Sequence, residues 1–380
     1  MRVLVLIYEF PPVGGGGGRV AEDICRGLVQ RGHQVRVLTS HFQGLPRREE
    51  IDGIQVERVP VGRKLPFKAY LRDMMGYVLC GLLPALRVVR AWKPDVIHVH
   101  FAVPSGALAF VVHLLTGVPY VLTAHLGDVP GGVPEKTGRW FRWVAPFTPP
   151  IWRRAARVFG VSEFTRRLAE ERYRVKVEVL HNGVDLRALD PGEISLSDAP
   201  QVVFAGRFVP QKNPLQVVRA LDGVRDLPWH CVMVGDGPLR SAVQAEIQAR
   251  GLEDRFSLPG WVSPDQVIEY LRESDILFMP SVAEGLPVVG VQALAMGLAV
   301  LAGRVGGFVD LVEHGRNGFL LDGSEGQSMG VSFLRQLLTD RQLLLRFRRE
   351  SRLRAQRFDI ENIVDAYEQA LRAVARRYGS

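Results

Sequence analysis

Residues 201–235 read QVVFAGRFVPQKNPLQVVRALDGVRDLPWHCVMVG, and three segments can be separated in them. QVVFAG (201–206) and HCVMVG (230–235) are short apolar runs ending in glycine, the form of strands covered on both faces. Between them, residues 214–221 open with a proline and read as a helix. Two wholly apolar strands joined through a helix predict a parallel pair with a crossover. The first strand delivers GRFVPQKNP, so Arg207 and Lys212 share one loop just ahead of the helix.

The alternation extends in both directions. Toward the C-terminus follow a helix at 239–249, FSLPG (256–260), a helix at 264–273, DILFMP (275–280), a helix at 287–296, AVLAG (299–303), GFLL (318–321) and helices at 325–338 and 341–356. Toward the N-terminus lie RVLVLIY (2–8), a helix at 20–31 closed by Gly32, QVRVLTS (34–40), DVIHVH (95–100), a helix at 107–115, PYVLTAH (119–125), RVFGVS (157–162), a helix from Glu163 and VEVLHNG (177–183). Residues 186–200, LRALDPGEISLSDAP, lose all periodicity and read as a linker. The expected fold class is α/β, with two Rossmann-like domains whose parallel sheets face each other across a cleft. A length of 380 residues suits about two or three domains. A last helix, 360–376, is attached to neither alternation.

Composition narrows the function classes. Three dispersed cysteines, Cys25, Cys80 and Cys231, predict neither a disulfide framework nor a zinc knuckle, and point to a reducing, cytoplasmic setting. MRVLVLIYEFPP is too short in its apolar run for a signal peptide. The apolar stretch 106–122 is broken by His113, Thr116, Gly117 and Pro119, so it reads as a buried helix running into a strand rather than a span of ~20 residues. Residues 1–190 carry 27 Lys and Arg against 17 Asp and Glu, whereas residues 191–380 carry 21 against 23. In the first half, basic and large apolar residues mix at 63–93 (Arg63, Lys64, Lys68, Arg72, Arg87, Arg90 with Phe67, Tyr70, Met74, Met75) and at 139–157 (Trp140, Phe141, Arg142, Trp143, Trp152, Arg153, Arg154). Such mixing suits either a surface meeting anionic lipid or a solvated basic face over core aromatics.

The glycine run 14–18 follows the first strand and precedes a helix, where bare backbone can approach a phosphate. It reads as a flexible, ligand-facing loop. A dinucleotide fingerprint through Gly16, Gly18 and Ala21 fails, because the glycine lies eight residues past Tyr8 and the second strand ends without a ribose-binding acid. Arg207 and Lys212, converging on a helix start, make a diphosphate clamp. VGDGP (234–238) and RVGGF (304–308) are further glycine turns at strand ends. His98 and His100 share one strand face but lack a third ligand nearby, so a metal reading is weak. No Asp-x-Asp pair, nucleophile elbow or Walker loop is present. His125, with Asp128 behind it, is better placed for substrate contact. In PSVAEGLPVVGVQALA (280–295), Glu284 sits in a turn and Gln292 in an apolar helix.

Together, EGLPVVGVQALA, GRFVPQKNP, VGDGP, NGVD (182–185), TAHLGD and the N-terminal glycine loop resemble the retaining GT-B glycosyltransferases of the group 1, or family 4, class, over essentially the whole chain and in the family's order. The resemblance implies an acceptor-binding domain at 1–188, a nucleotide-sugar-binding domain at 189–359 and a C-terminal helix, about 360–380, packing back on the first. It implies a nucleoside diphosphate sugar donor, a glycan or lipid-linked acceptor, no cofactor, no metal and no nucleic acid. Arg207 and Lys212 would hold the diphosphate, Glu284 the sugar hydroxyls, and Gly285, Leu286 and Pro287 the sugar and phosphate. Gly16, Gly17 and Gly235 would lie at the donor, Gly15, Gly18 and Asp128 on the acceptor side, and His125 near the reacting sugar. Gln292 departs from the family's Glu-x7-Glu spacing, in which the second acid binds ribose. Two alternatives are a degenerate nucleotide-binding subunit and a GT-B nucleotide-sugar epimerase.

Overall fold

Strands made almost wholly of apolar residues cannot leave a face in water, and the strands Val96–His100, Tyr120–Ala124, Ile276–Met279 and Ala299–Gly303 are buried along their whole length. A computed structural model describes residues 1–65, 69–132, 141–323 and 326–378, with the backbone alone at Arg142. Its contacts divide the chain into two units, Met1–Gly183 with Ile360–Ser380, and Val184–Asp359. The contact boundary falls ahead of the 188/189 boundary drawn from the sequence.

The first unit contains β1 (Arg2–Leu6), α1 (Gly16–Gln30), β2 (Gln34–Phe42), β3 (Arg48–Ile51), β4 (Ile54–Arg63), α2 (Leu71–Trp92), β5 (Val96–His100), α3 (Ala107–Thr116), β6 (Tyr120–Ala124), α4 (Phe141–Val144), α5 (Pro149–Arg154), β7 (Arg157–Gly160), α6 (Glu163–Tyr173) and β8 (Glu178–Val179). The strand order is β3-β4-β2-β1-β5-β6-β7-β8. All pairs are parallel except β3 with β4. That hairpin was not foreseen, although Asp52 and Gly53, both at positive φ, form the two-residue Asp-Gly turn that favours one. The chain leaves β1 toward β2 on one side and resumes at β5 on the other, so the direction of winding reverses between β1 and β5.

Most of the basic segment 63–93 is one long helix, α2. By length and composition it is long and apolar enough to cross a membrane. Its stripe Tyr77, Gly81, Ala85 and Val89 is nevertheless buried, and Tyr77 Oη donates to the Leu38 carbonyl at 2.7 Å. The stretch 106–122 contains α3 and β6, as read. The basic segments also divide on inspection: Arg63 is buried against Glu9 at 2.9 Å, and Trp152 stacks on Tyr173 at 4.3 Å inside the core. Phe67, Lys68, Arg139, Trp140 and the Arg142 side chain lie outside the described residues.

The second unit contains β9 (Gln201–Ala205), α7 (Pro214–Asp222), β10 (His230–Val234), α8 (Arg240–Ala249), β11 (Phe256–Gly260), α9 (Pro264–Arg272), β12 (Ile276–Met279), α10 (Val288–Ala295), β13 (Ala299–Gly303), α11 (Phe308–Leu311), β14 (Gly318–Leu321), α12 (Gly326–Thr339) and α13 (Arg341–Ala355). Six parallel strands run in the order β11-β10-β9-β12-β13-β14, reversing between β9 and β12. A buried Arg348 on α13 ties three segments together. It forms an ion pair with Asp275 and donates to the carbonyls of Gly297 (2.8 Å) and Ser195 (2.6 Å). Asp275 also accepts from the Gln201 backbone at 2.9 Å, so one carboxylate fixes the starts of β9 and β12.

The last helix, α14 (Ile360–Tyr378), packs on α1 of the first unit. Arg31 bonds Glu361 at 2.6 Å and Asp365 at 2.8 Å, and His33 Nε2 meets Glu368 at 2.9 Å. Tyr367 reaches the core, with its hydroxyl accepting from Thr123 Oγ1 at 3.2 Å.

Removing one partner of a buried ion pair strands the other charge. Asp275→Ala should therefore lower stability by about 3–5 kcal/mol, seen as an earlier urea-unfolding midpoint, whereas the exposed pair Arg272–Glu269 should be worth less than about 1 kcal/mol.

Candidate active site

Open α/β sheets offer ligands a crevice where the strand order reverses, at the carboxyl ends of the strands. In the second unit that point is flanked by the loops after β9 and β12, and the two loops are stitched together. Val282 N–H donates to the Gln211 carbonyl at 2.9 Å, and Gln211 Nε2 donates to the Ala283 carbonyl at 2.7 Å. The stitch brings Lys212 Nζ to 2.5 Å from Glu284 Oε1, with Glu284 only 5% exposed. A lysine ammonium has three donors and a carboxylate two oxygens. Among the described residues Oε2 of Glu284 has no partner, so the pair keeps one acceptor face and two donors for a ligand.

Glycine turns support this pair from beneath. The Gly307 N–H donates to the Glu284 carbonyl at 3.3 Å. At Gly306, with φ +50°, an added Cβ would lie 1.6 Å from that same carbonyl oxygen, so RVGGF presses directly on the backbone that aims Glu284. Gly285 packs against Gly307, Leu286 is buried, and Pro287 caps α10. Arg207 is exposed and forms no ion pair among the described residues. Its loop is held by Gly206 N–H donating to Val234 O and Phe208 N–H to Asp236 O, both at 2.9 Å. Gly235, expected at the donor, is buried against Gly206 and serves this packing instead. Gln292 is half-buried on α10, and among the described residues its amide has no partner.

In the first unit the reversal between β1 and β5 is lined differently. The glycine run is only partly a loop: Gly15 is the N-cap and Gly16, Gly17 and Gly18 form the first turn of α1. Gly15 and Gly16 are exposed, but Gly18, expected on the acceptor side, is buried against the Glu9 carbonyl. Gly17 leaves room for two rings, since an added Cβ would lie 2.7 Å from Phe101 and 3.2 Å from His125. Those rings stack on each other at 4.3 Å. Phe101 holds φ +71° and ψ +119°, a backbone strained for a side chain of its size. No pattern in the sequence marked it.

Asp128 is a correction. It is buried, and its carboxylate accepts from the His125 N–H at 2.8 Å and the Val103 N–H at 3.4 Å, so it positions His125 rather than facing an acceptor. His98 and His100 are wholly buried behind it, their rings 4.4 Å apart, with His98 Nε2 3.0 Å from Thr123 Oγ1. Burial pushes His98 down to about 3 and His100 well below its ordinary range, so both are neutral core groups near pH 7.

Comparison with known proteins shows the family. Residues 190–354 match the family described as Glycosyl transferases group 1, and residues 14–188 match Glycosyltransferase Family 4. The 2-deoxystreptamine N-acetyl-D-glucosaminyltransferase of Streptomyces fradiae is 31% identical over 338 residues, 80% of this chain and 78% of the relative. The chain belongs to the group 1 glycosyltransferases. Among solved structures, sucrose-phosphate synthase from Thermosynechococcus elongatus superposes on this glycosyltransferase with a TM-score of 0.85 at 19% identity, covering 98% of both chains. HepE of Anabaena, in complex with UDP and glucose, superposes at 0.76 and 21% identity over 98% of this chain and 100% of that one. Both likenesses are of fold, the two-sheet GT-B architecture.

The buried histidines give the glycosyltransferase an acid-sensitive core. An unfolded histidine titrates near 6.5, above the folded value of His98 at about 3. The unfolded state therefore takes up more protons between those values, and stability falls as pH drops through that window. Each histidine adds up to ~1.4 kcal/mol per pH unit. His98→Gln should flatten the decline of the unfolding midpoint between pH 6.5 and pH 4.5.

Proposed function

We propose that this glycosyltransferase moves a hexosyl group from a nucleoside diphosphate sugar to a lipid-linked or polysaccharide acceptor, retaining anomeric configuration and needing no metal. The observation that carries the reading is the Lys212–Glu284 pair at the strand reversal of the second unit. Glu284 accepts from sugar hydroxyls through its second oxygen. Lys212 turns its remaining donors to the diphosphate, and exposed Arg207 adds a planar fork. The two cations stabilise the leaving nucleoside diphosphate as its bond to the anomeric carbon breaks, the electrostatic task a divalent ion would otherwise perform. Gln292 accepts from one ribose hydroxyl and donates to the other oxygen, satisfying its half-buried amide.

Retention follows from attack on the face the leaving group departs. The acceptor oxygen bonds the anomeric carbon, the carbon–phosphate oxygen bond breaks, and the acceptor proton passes to the departing phosphate. His125, oriented by Phe101 and Asp128, meets the sugar near its reacting face. No side chain is assigned as a covalent nucleophile. The basic balance of residues 1–190 supports an acceptor presented at the inner face of the cytoplasmic membrane. An ordered Lys212–Glu284 pair favours an active transferase over a degenerate subunit, and among the described residues no additional carboxylates stand out for epimerase chemistry.

Assays with GDP-mannose, UDP-glucose, UDP-N-acetylglucosamine and ADP-glucose test the reading. Glu284→Ala and Lys212→Ala should each lower kcat by about 10²–10³, with wild-type activity intact in EDTA. Abolition of activity by EDTA overturns the metal-free mechanism. Gln292→Ala should raise the donor KM about 5- to 30-fold, the effect of one lost hydrogen bond, and an unchanged KM removes the ribose contact.

A further inference from the structure

Eleven of the fifteen large hydrophobic side chains exposed among the described residues belong to the first unit, and α2 carries a row of them. Leu71, Met75, Leu79 and Leu83 recur every four residues and so share one face, with Leu79 at 71% and Leu83 at 64% exposure. They lie opposite Tyr77, Gly81, Ala85 and Val89, which are buried against the sheet. A helix packed on a core by one face ordinarily turns a polar face outward. Here the outward face is apolar over more than three turns. Because its inner stripe is held in the core, α2 lies along the unit's surface and does not leave it as a span.

Charge identifies what covers this face. Arg72 stands at one end of the row, and Arg87 and Arg90 at the other, all three exposed. Asp73 is the one acid on α2, and it is buried, with its carboxylate accepting from the Tyr70 N–H at 2.9 Å. The same chemistry continues on the helices that follow. Helix α3 packs on α2 and exposes Leu114 and Leu115 at its end. Trp143 and Phe147, also exposed, precede α5, which packs on α3 and presents Arg153 and Arg154. An apolar strip ended by arginines matches the acyl boundary of a bilayer with anionic headgroups. Two copies of the strip facing each other would crowd arginines of like charge.

We propose that the outward face of α2 inserts into the interface of an anionic bilayer, Leu71, Met75, Leu79 and Leu83 entering the acyl boundary and Arg72, Arg87 and Arg90 meeting the headgroup phosphates. The assignment rests on the membrane-presented acceptor proposed above and names the element that reaches it. The full chain should co-sediment with vesicles of phosphatidylglycerol and phosphatidylcholine, less so as salt is raised, and weakly with phosphatidylcholine alone. Leu79→Asp combined with Leu83→Asp should cut the bound fraction at least about tenfold, two exposed leucines being replaced by charges. Donor hydrolysis and the unfolding midpoint should stay at wild-type values in that variant. Arg87→Glu with Arg90→Glu should remove most of the salt sensitivity. Wild-type binding that the double aspartate variant leaves unchanged overturns the α2 assignment while sparing the membrane acceptor. No wild-type binding at low salt, or equal binding to neutral vesicles, overturns the proposal. Concentration-dependent dimerisation lost in the double aspartate variant, without vesicle binding, assigns the face to a second copy and also overturns it. Absence of donor hydrolysis in the wild type would count against the transferase mechanism and leave the vesicle result standing.

Discussion

Lys212 and Glu284 are 72 residues apart in the chain and meet only because β9 and β12 are neighbours in the sheet. The meeting places opposite charges where desolvation would punish either alone, and their 2.5 Å contact answers that cost. Several unrelated features of the second unit are then intelligible as support. Asp275 fixes the starts of both strands, the Gln211 bonds fix their ends, and the Gly306–Gly307 turn fixes the Glu284 backbone. A carboxylate held this tightly loses little freedom on meeting a sugar, which is the physical advantage of preparing the site in advance.

The first unit organises its strand reversal by different means. Where the second unit uses ions, the first uses rings: Phe101 on His125, Tyr8 edge-on to Phe101, and the neutral pair His98 and His100 behind. The buried Asp128 carboxylate there accepts from the backbone N–H groups of His125 and Val103, and Glu9, beyond the end of β1, is paired with Arg63. His125 is thus held both by ring packing on Phe101 and by the hydrogen bond from its N–H to Asp128. Gly17 is the small residue that lets the rings come up to the helix start.

Much of this was legible in the residues, and what was not has identifiable causes. Strand and helix alternation is local, so the runs at 201–206, 230–235 and 299–303 reveal themselves without knowledge of their neighbours. The Asp52-Gly53 hairpin carries a readable turn, but its strands, REEI and IQVERVPVGR, hold charges that obscure the alternation. Helix α2 is less legible, because arginines at both ends interrupt the contrast between its apolar run and its surroundings. Lys212 and Glu284 could be picked out one by one from their loops, yet nothing local says that they bond each other. Asp128 stands three residues from His125 in the sequence, but that its carboxylate meets the His125 and Val103 N–H groups depends on how the chain turns between them. Phe101 left no trace, because strain at one φ angle is a property of the packed unit.

The return of α14 to the first unit has a consequence for biosynthesis. The second unit is a single continuous stretch, Val184–Asp359, and all its strands can pair once that stretch has left the ribosome. The first unit has its whole sheet made earlier, yet Arg31, His33 and Thr123 wait for partners on a helix that begins at Ile360. During translation the apolar face of α1 and the edge of the histidine pair stay uncovered through the synthesis of 176 intervening residues. The half of the enzyme that is started first is therefore the half that is completed last.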